Sequence, residues 1–242
     1  VNHYLTFWRN RRITNLVIVM LLLITAVPAY AKYKPRDRKA ASGYSSAGGS
    51  RSAGNGSIPL TLLAPRTFIG KTASLRPMLA WYAPISKNVE FRLFEFQSAT
   101  QVKQIGESKE IPAVVGINKL KLPGDYPELN VGKTYLWQIS ADSPGGQIIK
   151  RAEFTVINPT QSLAKKKFTT IPESANYYAK NELWYEALEE ALKTEADGKL
   201  GKTGSKLIQD LAESEMLGGS QSNSRIIKRR IDNLEKISRD SL

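Results

Sequence analysis

Few residues in this 242-residue chain have types and spacing that suggest chemistry. Ala196-Asp-Gly-Lys-Leu-Gly-Lys-Thr203 fits the phosphate-loop pattern of a small residue, four spacers and Gly-Lys-Thr. A phosphate cradle needs a Gly-rich turn between a buried strand and a helix, so that backbone N–H groups converge on the phosphates. The preceding Ala191-Leu-Lys-Thr-Glu195 instead reads as the charged end of a helix, so an interhelical loop is expected. Ser162-Leu-Ala-Lys165 and Lys202-Thr-Gly204 mimic two motifs of penicillin-recognising enzymes. Their Ser-Asp-Asn partner is missing, and fewer than 40 residues separate them, too few for that fold to bring them together.

Composition removes further chemistries. The chain has no Cys and one His, His3. Thiolate nucleophiles, disulfides and Cys-based metal sites are excluded. If the N-terminus is removed, imidazole catalysis and ordinary zinc sites go with it. Glu189-Glu190 and Glu213 with Glu215 lie on charged helical stretches, where neighbours one or two apart do not face each other. No glycosidase-type carboxylate pair is indicated, although a pair assembled from distant loops would be invisible in sequence. Trp81 and Trp184 are the candidate interaction residues, since an exposed indole can stack on a sugar ring. Against that, Trp137 shares a strand face with Tyr135 and Ile139, and Trp184 falls in a leucine stripe, so core packing is favoured. No catalytic, cofactor-binding or metal-binding residue is assigned, and no cofactor is expected.

The elements that would position these residues follow from periodicity. Over 58–159, short runs separated by Gly, Pro and Asn alternate with period two: 77–84, 89–96, 117–122, 133–140 and 148–157. Val89, Phe91 and Leu93 share one side, with Glu90, Arg92 and Phe94 on the other. This pattern predicts an antiparallel immunoglobulin- or fibronectin-like β-sandwich of ordinary size. Residues 160–242 form a short α-helical C-terminal region, so the fold class is α+β. Its helices are expected at 175–180, 183–195, 205–217 and 225–238, with Asn181 and Gly218-Gly219 as breaks.

Residues 1–31 read as a signal peptide: Arg9, Arg11 and Arg12, then the apolar run Leu16–Ile24, then Ala29-Tyr30-Ala31 as an A-x-A cleavage pattern. As a helix, 13–27 would reach about 22 Å, short of a hydrocarbon core of about 30 Å. Cleavage after Ala31 is expected, with an uncleaved anchor as the alternative. The linker 32–57 is basic and Gly/Ser-rich, with Tyr33 and Tyr44 its only large apolar groups. It is expected to be disordered: a plain spacer, or a tether touching an anionic wall polymer or lipid headgroups.

Four phrases then carry a resemblance. They are Pro59-Leu-Thr-Leu-Leu-Ala-Pro65, Arg76-Pro-Met-Leu-Ala-Trp-Tyr-Ala-Pro84, Leu129-Asn-Val-Gly-Lys-Thr-Tyr-Leu-Trp137 and Tyr178-Ala-Lys-Asn-Glu-Leu-Trp-Tyr-Glu-Ala-Leu188. In this order they resemble a cyanobacterial exported family known only as domain of unknown function 928, over roughly residues 58–217. The resemblance implies a signal peptide, a spacer, a β domain and a helical tail, and no activity. The basic helix Arg225–Arg239 lies beyond the expected end of the family pattern.

The expected protein is an exported, non-enzymatic interaction or structural module of the periplasm, cell envelope or exterior. Its partner would be an envelope protein or an anionic polymer, and it would meet membrane only through its signal segment. A carbohydrate-binding or carbohydrate-active protein using acidic and aromatic residues is the alternative. The net charge of +13 suggests nucleic acid at first sight. Residues 1–57, however, hold nine of the 35 basic residues against a single acid, so most of the excess belongs to the address and the linker. Lys165-Lys-Lys167 and Lys228-Arg-Arg230 lack interleaved aromatics and are expected to be solvated, so nucleic acid is not expected.

Overall fold

Alternating side chains build the strands expected of them. A computed structural model describes residues 32–46, 57–158, 166–216 and 224–240. The strands are β1 (Thr61–Leu62), β2 (Gly70–Thr72), β3 (Met78–Ala83), β4 (Lys87–Ser98), β5 (Gln101–Ala113), β6 (Gly116–Lys121), β7 (Thr134–Ser143) and β8 (Gly146–Val156). Along β4, Val89, Phe91 and Leu93 are buried while Glu90, Arg92 and Phe94 are half-buried. One sheet has the order β1-β3-β6 and the other β2-β8-β7-β4-β5. All pairings are antiparallel except that β2 runs parallel to β8, Gly70 opposite Phe154. The chain is thus α+β, with two mostly antiparallel sheets and a helical C-terminal part.

The longest strand, β5, has no counterpart among the sequence expectations. It lies at the edge of its sheet and carries Lys103, Gln104, Glu107, Lys109 and Glu110. An edge strand needs no apolar alternation, and charge along it discourages pairing with another chain. Its register against β4 slips between Phe91↔Lys109 and Leu93↔Ile105. Gly106, at φ 67°, lies in the extra segment. The Tyr126 ring occupies the space where a Cβ at Gly106 would stand, so only glycine fits this bulge.

Beyond a single helical turn at Gly43–Ser46, the helices among the described residues are α1 (Ile171–Lys180), α2 (Trp184–Ala191), α3 (Gly201–Met216) and α4 (Ser224–Asp240). Thr170 caps α1, its side chain accepting from the Glu173 N–H at 3.3 Å. As expected, Asn181 ends α1, and Glu182 then turns the chain at φ 62°. One apolar core draws Trp81 and Ile117 from the first sheet and Phe91, Trp137 and Phe154 from the second; Trp184 and Leu211 join from the helices. Lys119 Nζ closes the end of α2 by donating to the Glu195 and Leu192 carbonyls at 2.8 and 3.3 Å.

Two expectations need correction. Residues 32–46 are not a free tether. They run along the folded unit, with Tyr33 buried and Ser42 donating to the Glu153 carboxylate. Composition alone cannot offset their ordering entropy; bonds to partners as much as 181 residues away do so. Residues 47–56 lie outside the described residues. Within Lys228-Arg-Arg230, Lys228 and Arg229 are exposed as expected, but Arg230 is 7% exposed. Its Nε donates to Glu215 Oε1 at 2.7 Å, and its terminal nitrogens reach the Leu62 and Ala64 carbonyls. Glu215 is fully buried and also accepts the Arg66 and Thr67 N–H groups, each at 2.9 Å. Burial opposes its ionisation, but Arg230 and Thr67 outweigh that and hold the carboxyl below its ordinary range.

Removing one partner of such a pair strands a charge. Arg230→Met should lower unfolding free energy by about 3–5 kcal/mol in urea titration. The double variant Glu215→Gln/Arg230→Met should regain part of that loss. Equal stability of wild type and Arg230→Met would show that the pair is not structural.

Candidate functional site

The site begins with the arm formed by residues 32–38. Tyr33 and Pro35 are buried, while Lys32, Lys34 and Arg36, before, between and after them, are exposed. The Tyr33 ring packs against Trp184 at 4.8 Å between centroids. Its N–H donates to Asp210 Oδ2 at 2.9 Å, and its carbonyl accepts the Ser214 hydroxyl at 3.1 Å. The Arg36 N–H donates to Glu182 Oε1 at 2.9 Å. Arg38 folds back, donating to the Ser214 and Pro35 carbonyls and lying over the Phe68 ring at 5.6 Å. Asp210 and Ser214 are one turn apart on α3, so a single helix face grips the arm.

This docking leaves a concave cavity of about 580 Å³ lined by Lys32, Lys34, Pro35, Arg36, Arg38 and Lys180. Five of those six residues are cationic and none is acidic. Lys180 comes from the last turn of α1. Three carboxylates lie nearby: Glu213 neutralises Lys32 of the lining, while Glu182 and Asp37 lie 2.8 and 3.7 Å from Lys71 Nζ, outside it. Burial pushes Glu182 up, but Lys71 and the Arg36 N–H overcome this and hold its carboxyl below the ordinary range. Among the described residues, Lys34, Lys180 and the Arg36 guanidinium make no ion pair. The groove can therefore attract anions.

The residues singled out in sequence fall elsewhere. Trp81, Trp137 and Trp184 are each 0% exposed. The Trp184 indole donates to the Leu63 carbonyl at 2.9 Å and that of Trp137 to the Tyr185 hydroxyl at 3.2 Å. Trp81 and Trp184 are therefore core residues, which corrects their candidacy as interaction residues: no tryptophan among the described residues offers a face to a sugar. Ala29 and Ala31, Ser162–Lys165 and Gly218-Gly219 lie outside the described residues. The phosphate-loop lookalike enters α3 at Gly201, φ 60°, with the Glu195 carboxylate lying where a Gly201 side chain would be. An acid at that helix start repels phosphate. Lys202-Thr-Gly204 is the first turn of α3, and Gly204 packs on Leu192 and Leu200.

One carboxyl is shifted upward. Glu186 Oε1 accepts from the Thr72 hydroxyl and the Ala73 and Ser74 N–H groups at 2.6, 2.8 and 2.9 Å. Its enclosed Oε2 has no partner. Burial raises its pKa despite those three donors. The bonds tie α2 to the end of β2, a structural task.

Sequence reading missed Lys180 and the docked arm. The available signal was Lys-Tyr-Lys-Pro-Arg at 32–36, where cations alternate with apolar groups. Fold and groove together define an α+β domain with a docked basic arm. The chain belongs to the family described as Domain of Unknown Function (DUF928), whose model matches residues 46–224. No curated protein and no solved structure matches it. The family match includes Lys180, Asp210 and Ser214, while residues 32–38 and nearly all of α4 lie outside it.

Two outcomes test this reading. Tyr33→Ala removes an aromatic plug worth about 3–5 kcal/mol. Hydrogen exchange should then show the Tyr33 and Arg36 amides unprotected while the sheet amides remain slow. Glu186 contributes stability that is complete below the ordinary carboxylate pKa and is lost as pH rises through its higher folded value. Glu186→Gln should therefore gain on wild type in urea midpoint as pH rises above the ordinary carboxylate range. A constant difference over that rise would show that Glu186 does not titrate there.

Proposed function

We propose that the chain is an exported, non-enzymatic interaction module of the cell envelope, which holds an anionic partner in the groove of its basic arm. The observation that carries this reading is the groove itself: five cations and no acid in the lining. A basic segment, a short apolar run and Ala29-Tyr30-Ala31 support export, as does the compact unit that begins at Ala31, beside the expected cut. The absence of an aromatic ring from the lining counts against nucleic acid, which would want stacking partners.

The finer fold reading is an immunoglobulin- or fibronectin-like sandwich. Its support is the division of strands β1-β3-β6 from β4, β5, β7 and β8. A second support is Tyr135 at the start of β7, whose hydroxyl accepts the Asn130 N–H at 2.8 Å, as in the tyrosine corner of such sandwiches.

Cell fractionation with salt washes tests the proposal. Wild type should stay with the envelope at low salt and be released as salt screens the groove. Lys34→Glu/Arg36→Glu/Lys180→Glu should appear in the soluble exported fraction without added salt. Mass spectrometry of the recovered protein should find Lys32 as its first residue. Retention of the triple variant, or a cytoplasmic wild type, would overturn the reading.

A further inference from the structure

The arm presents its cations as a ladder. Lys32, Lys34 and Arg36 are exposed at every second residue, because Tyr33 and Pro35 between them are buried. Two residues of an extended chain advance about 6.6–6.8 Å; the arm runs without a bend from Lys32 to Pro35 and bends at Arg36. Lys180 supplies charge from α1 to the same concavity. Such a row offers charge along a length of chain, whereas a single small anion carries its charge at one point. It suits a linear polymer whose negative groups recur along its length, roughly one for every one or two sugar rings.

Resting on the envelope-binding reading above, we propose that the groove binds a linear acidic polysaccharide, with carboxylates or sulfates along the chain meeting Lys34, Arg36 and Lys180. Three features favour this occupant over other polyanions. The surface is a cleft, whereas a lipid bilayer presents a plane. Its one apolar lining residue, Pro35, is buried, so nothing is offered for insertion among acyl chains. No ring is available to stack on nucleobases. Lys32 joins as the polymer replaces its exposed partner Glu213, an exchange between ion pairs in water that costs little. Binding adds contacts along one chain, so affinity grows with polymer length until the ladder is filled.

The test titrates the purified full chain with galacturonate oligomers of one, two, four and eight rings. Fully methyl-esterified oligomers, phosphatidylglycerol vesicles and single-stranded DNA serve as comparisons. Affinity should rise with length, level off once the oligomer spans the ladder, and fall with salt. Lys34→Glu/Arg36→Glu/Lys180→Glu should weaken octamer binding on the order of tenfold or more. Arg229→Glu/Lys236→Glu, on exposed positions of α4, should leave it unchanged. Equal affinity for one ring and eight overturns the ladder, as does binding of the esterified oligomer. Tighter binding of vesicles or DNA overturns the ligand class, and an equal loss in the α4 variant overturns the location. If no oligomer binds while the triple variant still leaves the envelope, this proposal fails and the envelope reading stands. If oligomers bind while the triple variant remains in the envelope, the envelope reading fails instead.

Discussion

The buried carboxylate of Glu215 is the constraint on which the rest of the structure depends. It collects the N–H groups of Arg66 and Thr67 and the guanidinium of Arg230. Those donors come from the loop between β1 and β2 and from α4, so one anion fixes three separate stretches of chain. Arg230 spends its other donors on the Leu62 and Ala64 carbonyls, at and just beyond the end of a strand only two residues long. The surroundings are strongly cationic. Burial, then Arg230, pushes Arg66 down to about 10, and burial with Arg66 and Arg230 pushes Lys150 down to about 8. Without the carboxylate, these groups would repel one another in a medium that screens poorly.

Glu215 belongs to a helix that serves as a spine. From α3, Asp210 holds the Tyr33 N–H, Ser214 holds the Tyr33 carbonyl and Arg38, and Glu215 holds Arg230. Lys206 balances Asp210 at 3.0 Å one turn earlier. The apolar residues Leu207, Ile208, Leu211 and Ala212 are buried in the shared core. A helix with both kinds of contact fastens the basic arm, α4 and the core to the same body. The groove is a by-product of that fastening: the arm buries Tyr33 and Pro35, and their alternation with Lys32, Lys34 and Arg36 leaves those cations exposed.

Much of the framework was legible because period-two and helical spacing act locally. All five expected strand runs contain strands, and Asn181 ends a helix as its place after Tyr177-Tyr178-Ala179-Lys180 suggests. What escaped notice depends on partners distant in sequence. Edge strand β5 lacks an alternating face because its solvent side needs none. Arg230 looks solvated beside Lys228 and Arg229; its burial is decided by Glu215, fifteen residues away. The arm looks too polar to fold because its stabilising bonds lie on α3 and β8. For the candidate site the balance is similar. Its charges are visible in sequence, but their convergence with Lys180 into one cleft requires the packing of α1 beside the arm. The tryptophans err in the opposite direction, since an aromatic that could serve a ligand is indistinguishable in sequence from one that fills a core.

The placement of the arm also has a mechanical consequence. A pull on the chain at Lys32 does not first reach the free end of a sheet. It meets the Tyr33 ring lodged against Trp184 and, just behind it, bonds from Tyr33, Arg36 and Arg38 to α3 and to Glu182, at the turn after α1. Tension is thus shared among several short links loaded together, where a strand peeled from an edge would break its bonds one after another. The basic arm can therefore act as a rope whose knot is tied inside the folded body, leaving the sheets unstressed until the knot slips.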